Sequence, residues 1–193
     1  KVSLYLNELI KGGLVTKATY FNSKRSTYYE INDRMASFFF RFVQPYVEQI
    51  KLGDGARIKE REKDAIKTFI DHSYEKLCTS YLRYMNSQGK LEQYYLDFYN
   101  FKADNTSIGR SVEIDIVASE NDCLLIGECK FSSKEKGLDV FLDMKEDAKI
   151  TPLNKYANIN YYLFSHNGFK LDLLESKDKN LHLISSEMML EGN

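Results

Sequence analysis

Two strand-like runs constrain this chain most: Ser111–Ala118 and Cys123–Phe131, both rich in β-formers and separated only by the polar, turn-forming Ser119-Glu120-Asn121-Asp122. Runs this close pair as an antiparallel hairpin. A symmetric four-residue loop sets Val117 opposite Leu124, Asp115 opposite Ile126, Glu113 opposite Glu128 and Ser111 opposite Lys130, all on one face. The other face, with Ile114, Ile116, Ala118, Leu125, Cys129 and Phe131, is apolar or small throughout. Such a hairpin is covered on both sides near its turn. That fits an α/β fold with helices covering the sheet.

The first face changes character along its length. It is apolar near the turn and carboxylate-rich at the far end, where Glu113 meets Glu128 with Asp115 diagonal to it. Close carboxylates repel unless a proton or cation lies between them. Hard cations such as Mg²⁺, or Mn²⁺ in its place, take oxygen ligands, and Asp115 with Glu128 supplies such a pair. Lys130 points to the same side, where it can orient a water nucleophile or offset phosphate charge. The plainer reading is a solvated strand end at which Lys130 neutralises the glutamates. The pattern alone weighs the two about evenly.

Upstream, Leu4, Leu6, Leu9 and Ile10 have helical spacing, and Gly12-Gly13 ends that helix. Leu14–Phe21 and Thr27–Ile31 then flank a polar turn, Asn22-Ser23-Lys24-Arg25, and predict a hairpin. Helix plus two-stranded wing resembles the second half of a winged helix. Residues 1–34 carry a net charge of +3 and the remainder −4, so Lys24 and Arg25 are the candidate DNA-phosphate contacts at the wing tip. An ordinary solvated turn explains the same two residues. A second helix is expected from about Asp33 through Met35, Phe38, Phe39, Phe42, Val43 and Val47, its aromatics in the core and Pro45 able to bend it. After Gly53-Asp54-Gly55, a long helix is expected from about Ile58 to Met85, with Glu75 inside it, and Tyr161–Phe164 reads as a further core strand.

Several chemistries are excluded. With a formal net charge of −1 the chain is no histone-like binder. Cys78, Cys123 and Cys129 contain no CxxC pair, which argues against a disulfide framework or zinc knuckle and for a reducing, cytoplasmic setting. No apolar run reaches membrane-span length. His72, His166 and His182 have no metal-ligand spacing, and Ser165 beside His166 is not a triad. No G-x-x-x-x-G-K-[ST] sequence is present, so no nucleotide site is expected in these residues.

The pattern Asp115-Ile116-Val117-Ala118, turn, Gly127-Glu128-Cys129-Lys130 resembles the core motif of PD-(D/E)XK nucleases, the restriction-endonuclease-like superfamily. In a wider sense, the order of wing, Phe-rich segment with Arg41-Phe42-Val43 and Pro45, helix with Tyr74-Glu75, motif strands and Phe164–Phe169 resembles the C-terminal region of archaeal-type AAA ATPases. The resemblance implies an α/β fold with a restriction-endonuclease-like core, a mixed central sheet and flanking helices, beside the partial winged-helix segment. It also implies metal binding and catalysis by Asp115, Glu128 and Lys130, with Glu75 completing the metal site and Cys129 offering only its backbone carbonyl. Ile114 stands where the family motif has proline. Glu113 joins the candidate metal ligands from the strand pattern.

The expected organisation is residues 1–33 as half a winged helix, 34–57 as a connecting aromatic helix and 58–193 as the nuclease-like domain. The expected activity is Mg²⁺-dependent hydrolysis of DNA, with an upstream ATPase module in the same polypeptide as a partner and a homodimer compatible with the pattern. The alternative is a non-catalytic module that binds DNA or protein and regulates the ATPase. An oligomerisation domain is a third reading.

Overall fold

The computed structural model describes residues 2–21, 23, 27–104, 106 and 108–191, and the candidate wing-tip contacts Lys24 and Arg25 lie outside them. The chain forms two compact units: Lys1–Thr19 with Ser23–Ser73, and Tyr20–Asn22 with Tyr74–Asn193.

In the first unit, α1 (Val2–Lys11) ends where Gly13 takes a φ of 69°, and Leu14 N–H donates back to Leu9 O over 3.0 Å, a glycine-capped helix end. β1 (Val15–Thr19) then pairs antiparallel with β2 (Thr27–Ile31), Val15 opposite Ile31, as the sequence predicts. Asp33 caps α2 (Arg34–Phe38), its Oδ1 accepting from Ala36 N–H at 2.7 Å.

The single helix expected next is absent. After α2 the backbone widens into a π-helical turn (Phe39–Val43), tightens into a 3₁₀ turn (Gln44–Tyr46) and resumes as α3 (Val47–Lys51). Pro45 has no N–H and its ring collides with the turn before it, so a regular ladder cannot pass. Only part of the aromatic face is core. Phe42 is buried against Phe38 and Phe69, with ring centroids 5.2 and 5.6 Å away, whereas Phe39 is 43% and Met35 76% exposed. The next long helix is also divided, into α4 (Gly55–Arg61) and α5 (Lys63–Ser87), the later turns of which belong to the second unit.

The second unit is a mixed α/β fold around a five-stranded sheet ordered β3-β4-β5-β6-β7: β3 (Tyr99–Ala103), β4 (Val112–Glu120), β5 (Cys123–Lys130), β6 (Asn158–Ser165) and β7 (Leu181–Ser185). β4 runs antiparallel to both of its neighbours, β3 and β5, and β5, β6 and β7 are parallel. Parallel neighbours need a crossover, supplied between β5 and β6 by α6 (Leu138–Ile150) and between β6 and β7 by the short α7 (Leu171–Leu174); α8 (Ser186–Glu191) closes the described chain. Each sheet face carries a core. Leu124, Ile126 and Leu163 join Phe141, Met144 and Ala148 of α6 on one side, and Ile116, Leu125 and Phe164 join Tyr74, Cys78 and Leu82 of α5 on the other. Burial on both faces is what the apolar hairpin demanded. Among the described residues no helix is long and apolar enough to cross a membrane.

The hairpin register differs from expectation by two residues. Glu120 pairs with Cys123, Val117 with Ile126 and Ile116 with Gly127. The turn is therefore only Asn121-Asp122, with Asn121 in the left-handed region at φ 52°, which asparagine tolerates. Ser119 and Glu120 extend β4 instead of entering a loop.

Candidate active site

A second departure from regular pairing builds the site. Tyr99 pairs with Val117 but Phe101 with Ile114, so Asp115 and Ile116 together stand opposite Asn100 in a β-bulge. The bulge offsets the alternation of β4: Ile114 and Val117 both enter the α6-side core, while Ile116 enters the other. The uniform carboxylate face expected from strict alternation is thus broken at Asp115. Asn100 Nδ2 donates to Asp115 O at 2.6 Å, and Asp115 Oδ2 accepts from Cys129 N–H at 2.8 Å. Both backbone and carboxylate of Asp115 are held in place.

Three of the anticipated carboxylates act on one another. Burial, then the charges of Glu128 and Glu75, push Asp115 well above the usual carboxylate range. Burial also raises Glu128, against the pull of Lys130. Lys130 Nζ donates to Glu128 Oε1, and although burial opposes its charge, the two acids leave it raised and therefore cationic at neutral pH. The structure accordingly brings together Asp115, Glu128, Lys130 and Glu75.

Glu113 is placed differently. It stands opposite Lys102 of β3 and pairs with it at 2.9 Å, half-exposed on the far side of the bulge. A further acid does enter the neighbourhood: Asp147 of α6 raises Glu128 and is itself bound by the Arg110 guanidinium. The sequence holds one trace of it, since Asp139, Asp143 and Asp147 recur every fourth residue along α6. Nothing local links Arg110 to that helix.

Among the described residues no group of three or more His, Cys, Asp and Glu is arranged to hold a metal ion. The donor set of Asp115 and Glu128, two carboxylates raised by burial, nevertheless fits a hard divalent cation that keeps most of its coordination in water and substrate oxygen. The histidines serve other contacts. His166 stacks on Phe131 at 4.4 Å with Nδ1 3.2 Å from Ser186 Oγ, and His182 stacks on Tyr162 with Nε2 2.9 Å from Glu92.

Ser165, the register partner of Lys130, is fully buried and its hydroxyl has no hydrogen-bond partner. An unpaired buried hydroxyl costs stability, so Ser165→Ala is expected to raise the unfolding free energy by about 1 kcal/mol in a urea titration. A loss of that size instead would show that the hydroxyl is satisfied in solution.

Two solved structures show a distant likeness. Protein VC1899 from Vibrio cholerae is 14% identical with a TM-score of 0.49, over 98% of this chain and 40% of its own. A protein of unknown function, AF1548, is 15% identical with a TM-score of 0.44, over 62% of this chain and 65% of its own. The chain thus spans less than two thirds of either. No curated protein matches it. One family model does, over residues 39–150, a span that holds the bulge, Glu75, both motif strands and all of α6, and on that match the chain belongs to the DUF234 family of archaeal and bacterial proteins of unknown function.

Proposed function

We propose that the second unit is a divalent-metal-dependent nuclease domain that hydrolyses phosphodiester bonds of DNA. The observation that carries this reading is the convergence of Asp115 and Glu128 from adjacent strands, both raised by burial and Asp115 also by the charge of Glu128, beside a cationic Lys130. Burying neighbouring carboxylates costs stability unless a proton or cation offsets their charge. Asp115 and Glu128 would hold Mg²⁺ or Mn²⁺, which when bound supplies an activated water and offsets charge on the phosphate. Lys130 stays protonated because two carboxylates face it, so its role is electrostatic, toward phosphate oxygens, and not that of a base. The Cys129 N–H fixes the carboxylate of Asp115, and Asn100 fixes the bulge that aims it. The motif resemblance supports the same reading and extends it: the chain would be the C-terminal part of a polypeptide whose ATPase module binds nucleotide elsewhere.

Incubation with Mg²⁺ or Mn²⁺ and duplex, single-stranded, flap and four-way-junction DNA tests this. Cleavage is expected, reduced at least about 100-fold in Glu128→Gln and in Lys130→Ala. Cleavage that persists in both variants would sink the assignment. The excess positive charge of residues 1–34 favours a second reading, a non-catalytic DNA- or protein-binding module, under which Lys24→Glu with Arg25→Glu weakens binding and Glu128→Gln does not.

A further inference from the structure

The β5–β6 pairing does not stop where the strands end. His166 N–H donates to Lys130 O at 3.1 Å, Lys136 N–H to Gly168 O at 3.1 Å and Lys170 N–H to Lys136 O at 2.8 Å, and Lys136 forms a parallel bridge with Phe169. Asn167 Nδ2 donates to Ser133 O at 3.0 Å, while Ser132 Oγ braces both the N–H and the carbonyl of Lys134. Buried Phe169 anchors the second loop in the α6-side core, and Gly168, at φ 82°, makes the turn that allows it. Residues 131–137 and 166–170 thus form one braced platform that starts at Lys130 itself.

The charges on this platform are unevenly engaged. Among the described residues, Lys134, Lys136 and Lys170 enter no ion pair, and Lys134 and Lys170 are exposed. Two nearby acids, Asp139 and Asp172, are exposed. Asp172 accepts from Leu138 N–H at 3.4 Å at the start of α6, and Asp139 and Asp172 share the space beside Gly137 with the Lys170 side chain. Glu135 is the one acid on the loops themselves. Three lysines that enter no ion pair, on a braced support that runs on from Lys130, suit a polyanion whose repeating charges must pass that point.

We infer that this platform grips the phosphodiester backbone of DNA beside the carboxylate site, with Lys134, Lys136 and Lys170 as the contacts. The identity of the polyanion rests on the nuclease reading above. Lysine contacts of this kind carry no base information, so they set affinity and register and leave sequence unread.

The test is the affinity of the full chain for a labelled DNA duplex in EDTA, measured by anisotropy across a salt series. The parent is compared with Lys134→Gln, Lys136→Gln, Lys170→Gln and the triple variant. Lys90→Gln is the control, lying beside the segment that Gln93 ties to the hairpin turn through Glu120 O, at the other end of the sheet. Each contact removed is expected to reduce the salt slope by about 0.9, and the triple variant to bind roughly 10- to 100-fold more weakly at low salt, with Lys90→Gln unchanged. A triple variant that keeps the parent's slope overturns the inference while leaving hydrolysis intact if it still cleaves. A parent that neither binds nor cleaves overturns both, and lysine-dependent binding without cleavage upholds the platform and removes the nuclease.

Discussion

Asp115→Asn is expected to unfold at a higher temperature than the parent in EDTA at neutral pH, and to cleave no DNA when Mg²⁺ is added. The carboxylate of Asp115 is raised by burial first and by Glu128 and Glu75 next, so ionising it costs folding free energy. Its folded value lies above the unfolded one near 3.9, so the native state holds the proton more tightly between those two values. Stability therefore falls as pH rises from about 4 through the raised value and stays flat beyond it. The asparagine variant lacks this loss, and its Oδ1 can still accept from Cys129 N–H. The gain over the parent should be close to nil near pH 4 and a few degrees at pH 8. Millimolar Mg²⁺ should erase that gain by stabilising the parent alone, since a ligand stabilises only the state that binds it. Thermal scans across pH, with EDTA and with Mg²⁺, measure all three effects. A variant less stable than the parent at pH 8 in EDTA would mean that the carboxylate is already satisfied and that no cation is needed.

Gly127→Ala is expected to damage both fold and site. A Cβ at Gly127 would lie 2.9 Å from Ile116 Cβ and 3.3 Å from its Cδ1. Ile116 is fully buried and is the second residue of the bulge, so its Cβ can retreat only if β4 moves, and β4 carries Asp115. Overpacking of this kind costs about 1–3 kcal/mol, equivalent to roughly 3–10 °C in melting temperature for a chain of this size. Trimming the neighbour should not rescue it. Ile116→Ala keeps the offending Cβ and adds a cavity, so the double variant should be less stable than either single one. Recovery of the parent's melting temperature in the double variant would show that the collision lies elsewhere.

Much of this site could be read from the chain because its parts are local. Asp115, Glu128 and Lys130 lie in one hairpin, and the acid-and-lysine motif survives the two-residue error in register because a shift by two preserves which face a side chain occupies. The bulge was not legible. It depends on how β3 meets β4, and the aromatic segment around Tyr99 has no strong strand signature. Without it, Glu113 seemed to share the carboxylate face, whereas it pairs with Lys102. Asp147 and Arg110 were missed for a related reason: their meeting joins the loop before β4 to the end of α6, a contact of long sequence separation. In the first unit, Pro45 announced a bend, but whether the backbone would answer with a π turn, a 3₁₀ turn or both is decided by how Phe38 and Phe42 reach Phe69.

The division of the sheet at β5 also has a meaning in time. The antiparallel half, β3 to β5, closes through short connections, whereas each parallel neighbour waits for an intervening helix to form and dock. Asp115 and Glu128 come from the early half and the lysine platform from the late one. A chain emerging during synthesis would pair its two acid-bearing strands before residues 166–170, which follow β6, could join the loop after β5.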